Sequence, residues 1–238
     1  MLTLFFVENL PTTVGEQYLF DNEDALHAIR VLRTNIGEIF NLSDGKGAWS
    51  RVQVEAVNKK SLQVKVLATG VEDPLTQSLT VIQAIPKGDR AKEAVELCTV
   101  GGADRIVMWA ASRSIGKSDE KLDKLQITAR EASKQSRRLR IPSVVGVATT
   151  ENIIDEIAKS DLAIVLHEGA SAKISELIST DPKKILIIVG PEGGLTEAEV
   201  DTFAAAGAKV ALLGRPILRS AHAGLAALSA VNTALSVW

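Results

Sequence analysis

The sequence predicts an α/β protein with a small β-rich barrel in front of it, and three observations carry that prediction. Over the first seventy residues, short alternating or apolar runs recur between turns, at 2–7, 39–42, 51–57 and 62–67. From residue 79 onward, apolar runs alternate with stretches of helical spacing, as in a mainly parallel sheet covered by helices. Between the two regions Glu72-Asp73-Pro74 breaks the pattern, which divides the chain into a 1–73 barrel and a 74–238 α/β domain.

In the first region Asn22-Glu23-Asp24 opens a short helix that runs to about Arg33, with acidic residues at its start. Asp44-Gly45-Lys46-Gly47 makes a hairpin-like break. In the second region strands are expected at 79–85, 105–109, 162–166, 184–189 and 210–213. A helix from about 119 to 138 carries Leu122, Leu125, Ala129 and Ala132 on one side. At 100° per residue Arg130, Lys134, Arg137 and Arg138 fall together on the other. The last stretch, 221–238, repeats large apolar residues (Leu225, Leu228, Val231, Leu235, Trp238) at helical spacing. Its His222, Asn232 and serines make it a packed helix and not a membrane span.

The chain has 238 residues, 46% of them hydrophobic, which is ample for a packed core. Its single cysteine, Cys98, forms no intrachain disulfide. No charged n-region with an apolar h-region opens the sequence, so a cytoplasmic location is expected. With one cysteine and the scattered His27, His167 and His222, no metal-ligand spacing exists. The net charge of -2 hides an uneven distribution. Nine basic residues between Arg113 and Arg140 (Arg113, Lys117, Lys121, Lys124, Arg130, Lys134, Arg137, Arg138, Arg140) face four acidic ones (Asp119, Glu120, Asp123, Glu131). Such a block steers a polyanion toward one part of an acidic protein, unless it is only a solvated helix face. Glu131 and Gln135, one turn apart within it, suit hydrogen bonds to base edges, while the arginines suit phosphates.

Two glycine-bearing turns follow apolar strands. Gly190-Pro191-Glu192-Gly193-Gly194 comes after 185–189, and Leu213-Gly214-Arg215-Pro216-Ile217-Leu218-Arg219 follows some twenty residues later. Backbone that approaches a ligand closely favours glycine, so these turns read either as a cradle of amides or as ordinary punctuation. Neither G-x-G-x-x-G opening a helix nor G-x-x-x-x-G-K-[ST] occurs, which removes the usual support for nicotinamide cofactors and nucleoside triphosphates.

On these residues the chain resembles the RsmE family of 16S ribosomal RNA uridine-N3 methyltransferases, knotted enzymes of the SPOUT class that use S-adenosylmethionine. The motifs, in order, are 27–33 with 44–47, Arg113-Ser114, 131–138 with Pro142, 189–194, and Leu213-Gly214 with Ile217-Leu218-Arg219. The resemblance spans nearly the whole chain. It implies an N-terminal PUA-like barrel that docks RNA, a C-terminal trefoil-knot domain, and a homodimer whose second subunit completes the RNA site.

Carried onto this sequence, it implies cofactor contacts at Leu166, His167, Glu168, Gly169, Val189, Gly190, Pro191, Glu192, Gly193, Leu213, Gly214, Ile217 and Leu218. Glu168 and Glu192 would favour the sulfonium or bond the ribose, with capping of the helix that begins near 195–199 as the alternative for Glu192. Arg219 would contact the substrate or orient the methionine end. Arg219 and Glu131 are the catalytic candidates, with His222 a further candidate base. Arg30, Arg33, Arg113, Lys134, Gln135, Arg137 and Arg138 form the RNA-side set, and His27 a capping or packing position. Where relatives commonly read R-x-E-T-A, this chain has Arg219-Ser220-Ala221-His222-Ala223, without the carboxylate and the hydroxyl. The expected substrate is the small ribosomal subunit. A knotted protein that binds rRNA without turnover, or one that methylates another RNA, is the alternative.

Overall fold

A computed structural model describes residues 2–73, 75–114, 122–178 and 182–238. Pro74, at the expected domain boundary, and Lys117, Asp119, Glu120 and Lys121 of the basic block lie outside the described residues. The chain forms two compact units, one of residues 1–74 with 133–141, the other of 75–132 with 142–238.

The first unit holds β1 (Leu4–Phe6), β2 (Gln17–Phe20), α1 (Glu23–Arg30), β3 (Ile39–Ser43), β4 (Ala48–Val57) and β5 (Leu62–Val71). The strands form one sheet in the order β1-β3-β4-β5-β2, antiparallel except for the β1–β3 pair. Register shifts between Arg51 and Val52 and between Val54 and Ala56 curl it into a half-barrel with β1 and β2 at its edges. Alternation along β4 and β5 turns Val52, Val54, Leu62, Val64 and Val66 inward. They meet a cluster in which Phe5, Phe20 and Phe40 stand with ring centroids 5.1–5.7 Å apart. Asn22 caps α1 by accepting the Ala25 N–H, so His27, exposed, does not cap it. The β3–β4 turn at 44–47 needs positive φ at Gly45 and Gly47, and a Cβ on Gly47 would clash with the Arg140 guanidinium.

The second unit begins with β6 (Ser78–Ala84), α2 (Arg90–Val100), β7 (Arg105–Trp109) and the first part of α3 (Leu122–Ser136). It continues with β8 (Ser143–Ala148), α4 (Thr150–Ala158), β9 (Leu162–Leu166), α5 (Ile174–Leu177), β10 (Lys184–Val189), α6 (Glu197–Ala205), β11 (Lys209–Ala211) and α7 (Ser220–Ala234). Its six strands are all parallel in the order β11-β9-β10-β6-β7-β8. The chain steps outward from β6 through β7 to β8, crosses to β9, and returns to insert β10 between β9 and β6. Parallel strands covered on both faces need apolar residues at every position, which is why β7, β9 and β10 coincide with their expected spans. Trp109 and Phe203, both fully buried, meet edge-on in the core with Ile153, Val165 and Ile188.

Several expected bounds change: α1, expected to run to about Arg33, ends at Arg30, and the strand expected at 210–213 is β11 at Lys209–Ala211. The helix expected to reach residue 138 ends at Ser136. Arg137 takes φ 60° and the Arg138 N–H bonds the Ser133 carbonyl, the six-to-one closure that stops a helix. Arg137 and Arg138 therefore leave the helix and do not share one face with Arg130 and Lys134. In α7 the buried stripe is mostly small, with Ala221, Ala223, Gly224 and Ala227 beside Leu228 and Val231, whereas Trp238 lies beyond the helix and is exposed. α2 packs so closely that a Cβ on Gly224 would sit 2.6 Å from Cys98 Sγ.

Candidate functional site

In a parallel sheet ligands settle where the strand order reverses, outside the carboxyl ends of the strands. Here the loops that leave β6, β9, β10 and β11 at those ends surround a cleft of about 820 Å³, within the roughly 300–1,000 Å³ usual for small-molecule sites. Leu166, His167 and Glu168 line it from β9, Val189 and residues 190–195 from β10, and residues 212–220 from the β11–α7 connection. Of the expected cofactor residues, Leu166, His167, Glu168, Val189, Gly190, Pro191, Glu192, Gly193, Leu213, Gly214, Ile217 and Leu218 all border it. Gly169 does not, and instead donates its N–H to His167 Nδ1 at 3.1 Å, turning the loop.

The 190–194 turn is fastened from several sides. The Gly190 carbonyl accepts from Ser220 Oγ at 2.6 Å, and the Gly193 carbonyl from Arg113 Nη1 at 2.9 Å. Glu192 accepts the Lys87 N–H at 3.3 Å and lies 4.0 Å from Arg90 Nη1. Just past the turn, buried Glu199 accepts the Ser112 N–H at 2.8 Å, the Thr196 N–H at 2.8 Å and the Thr196 hydroxyl at 2.9 Å. Burial pushes the Glu199 carboxyl up, but the amides of Ser112 and Thr196 outweigh it and leave it below the usual carboxylate value. Thr196 and Glu199 form the capping box of α6, so Glu192 is not its cap.

The opposite wall differs. Among the described residues the amides of Leu213, Gly214, Ile217 and Leu218 donate to no protein acceptor, and Ile217 is 82% exposed. Glu168 lies exposed at the cleft, with no hydrogen bond or ion pair among the described residues. Free amides, apolar walls (Leu166, Val189, Leu213, Leu218) and an unengaged carboxylate suit a partly apolar small molecule with polar edges and a positive charge.

Arg219 borders the cleft as the N-cap residue of α7, but its side chain makes no capping bond. Glu131 does not border it and pairs with Arg130 at 3.2 Å. His222 is also outside the lining, with Nε2 2.9 Å from Glu93 Oε1 on α2. Arg30, Arg33, Lys134, Gln135, Arg137 and Arg138 all belong to the first unit. Arg30, Arg33, Gln135 and Arg137 are exposed there. Lys134 departs from the expectation, because its ammonium sits 2.6 Å from the buried Asp24 carboxylate with a side chain only 13% exposed. Arg113 likewise points at the glycine turn. Arg215 and Pro216 belong to the 213–219 turn read as a cradle, but Arg90, Leu195, Leu212, Ser220 and Ala223 are lining residues that sequence reasoning does not reach. Ser220 directly follows a quoted motif, while Arg90 is brought in from the start of α2, which no local pattern announces.

A parallel sheet with a small-molecule cleft at its carboxyl edge, in a chain that also carries a curled β-sheet unit, is a scaffold whose activity is shown by its relatives, which are RNA methyltransferases. The RNA methyltransferase domain model matches residues 72–232, and the RNA methyltransferase PUA domain model matches residues 20–67. The ribosomal RNA small subunit methyltransferase E of Mycobacterium bovis is 35% identical, over 99% of this chain and 93% of its own length. That of Bacillus subtilis is 29% identical over 96% and 95%. The chain belongs to this methyltransferase E family. The family member from Neisseria gonorrhoeae, solved bound to S-adenosylmethionine, superposes with a TM-score of 0.85 at 25% identity, covering 98% of both chains. A Legionella pneumophila protein solved with the same cofactor shares the fold, with a TM-score of 0.86 at 23% identity and 98% coverage of both.

Among the described residues, no three or more His, Cys, Asp or Glu side chains gather as a metal site, and no helix is long and apolar enough to cross a membrane.

Proposed function

We propose that this protein methylates N3 of a uridine in 16S ribosomal RNA of the small subunit, with S-adenosylmethionine held in the cleft at the carboxyl edge of the parallel sheet. The observation that carries the reading is the unengaged wall formed by residues 213–218 and Glu168, facing the fastened 190–194 turn. Amides of Leu213, Gly214, Ile217 and Leu218 would hold the adenine edge, Leu166 and Val189 would flank the ring, and Glu168 would bond the ribose or favour the sulfonium. When bound, the cofactor supplies an electrophilic methyl group.

The protein's own residues then do two things. They hold the acceptor nitrogen in line with the methyl group, which replaces a bimolecular encounter by a positioned one. They also stabilise the charge that appears on the uracil when its N3 proton passes to solvent water. Arg219, which borders the cleft at the start of α7, would take that second role. Glu131 enters only from a second subunit, because its own chain does not bring it to the cleft. The homodimer, the trefoil knot and a cytoplasmic location are parts of the same proposal, as is the assignment of residues 1–73 to RNA docking and 74–238 to methyl transfer. Arg30, Arg33, Gln135, Arg137 and Arg138 form the RNA-facing set, with Lys134 and Arg113 acting through the framework.

The test is methyl transfer from labelled S-adenosylmethionine to small subunits from cells lacking the protein, with mass mapping of the modified nucleotide. N3-methyluridine at one decoding-region site is expected. Transfer to transfer RNA alone, or binding without transfer, overturns the substrate or the activity respectively. Arg138→Ala should lower the slope of log affinity against log salt by about one, the loss of one phosphate contact. An unchanged slope removes Arg138 from the RNA-facing set.

A further inference from the structure

A polar chain that starts outside every motif, at Gln83, runs to the wall of the cleft. Gln83, on β6, is fully buried at 0% exposure among apolar neighbours. Its Nε2 donates to the Ala84 carbonyl and to Ser220 Oγ, both at 2.9 Å. Ser220 Oγ donates in turn to the Gly190 carbonyl at 2.6 Å. The amide oxygen of Gln83 has no partner.

The direction of this chain is dictated by its ends. The Ala84 and Gly190 carbonyls only accept, so Gln83 must present its amino group and Ser220 must receive one hydrogen bond while giving the other. Turning the amide would set two carbonyl oxygens against each other. The orphaned Oε1 is the consequence, a buried acceptor left unpaired where nine in ten such groups are paired. An apolar side chain would avoid that penalty, so packing does not explain the glutamine.

Both downstream residues border the cleft. Gly190 opens the fastened turn, and Ser220 directly follows Arg219. The Gly190 carbonyl belongs to the peptide joined to Pro191, which has no N–H, so Ser220 is what fixes that plane. We infer that Gln83 is a positioning residue: through Ser220 it sets the spacing between the 190–194 turn and the backbone of Arg219, and so the affinity of the cleft for its cofactor. This rests on the reading of the cleft as an S-adenosylmethionine site.

The test measures S-adenosylmethionine affinity by calorimetry, kcat and KM on small subunits, and thermal melting, for the unaltered protein and for Gln83→Met, Ser220→Ala, the double variant and Ser220→Thr. Gln83→Met and Ser220→Ala should each weaken cofactor binding about tenfold, the scale of one hydrogen bond lost. The double variant should be no weaker than Ser220→Ala, since the two act in series. Ser220→Thr, which keeps the hydroxyl, should restore binding. Single variants that bind as the unaltered protein does, with or without a lowered Tm, overturn the inference, and so do losses that simply add in the double variant. Failure of the unaltered protein to bind S-adenosylmethionine overturns the cofactor reading itself.

Discussion

The two glycine turns of the cleft look alike in sequence and are opposite in construction. The 190–194 turn is tied to Ser220, Arg113, Lys87 and Arg90, and its flank is secured by Glu199. The 213–218 loop carries amides that donate to no protein acceptor among the described residues and an Ile217 that is 82% exposed. The first turn is tied through its Gly190 and Gly193 carbonyls and the Glu192 carboxylate before any ligand arrives, whereas the second is tied by no such bond, and both leave amides open to a ligand. A prebuilt wall limits the ordering cost of binding, while free amides give the ligand's polar edge something to bond. Glycine alone does not distinguish the two, because what matters is whether other elements reach the turn.

Several changes break or sharpen that contrast. The largest effect is expected at the fastened turn. A Cβ on Gly190 would lie 3.0 Å from Leu195 Cγ and 3.2 Å from its Cδ2, and a valine adds two further methyl groups to that close contact. Gly190→Val should weaken S-adenosylmethionine binding roughly a hundredfold, the upper end of what overpacking costs; calorimetric affinity near that of the unaltered protein would mean the turn is not a rigid wall. Glu168→Ala, on the open side, should cost about tenfold in the same measurement, as one charge-assisted hydrogen bond is lost. Glu192→Ala serves as its comparison and should do less, since Glu192 faces Lys87 and Arg90.

Glu199 tests the fastening from its pH dependence. Its carboxyl is held below the ordinary value of 4.5. Its contribution to stability is therefore complete above that value and is lost as pH falls through the folded-state value. Glu199→Gln should lower stability by about 1 kcal/mol at neutral pH. The Tm gap to the unaltered protein should narrow as the solution is acidified below 4.5; a gap that stays constant with pH would show that the charge does not matter. The smallest effect is expected at Ile217→Ala, which should leave the Tm of the free protein unchanged and weaken cofactor binding only about threefold, because an exposed side chain has little to lose until a ligand covers it.

How much of this was legible in the sequence follows from which signals are local. Strands β7, β9 and β10 are buried on both faces and read as continuous apolar runs, so their spans follow directly. β2, only Gln17–Phe20 with one fully buried residue, and β8, which carries Gly146 within Ser143–Ala148, give no such run and were not anticipated. The end of α3 was placed two residues too late because Arg137 adopts positive φ without the glycine that usually announces it. Lys134 was assigned to RNA because its neighbours are basic, yet Asp24, 110 positions away in sequence, reaches it first. The cleft's glycines were visible as motifs. The Gln83–Ser220–Gly190 chain was not, since its members are 137 and 30 positions apart and a glutamine inside a buried strand carries no pattern of its own.

Amide hydrogen exchange with and without S-adenosylmethionine tests the central contrast most directly. The cofactor should strongly slow exchange at Leu213, Gly214, Ile217 and Leu218 and change Gly194, whose N–H already bonds the Pro191 carbonyl, much less. An equal change at Gly194, or none at 213–218, would contradict the account.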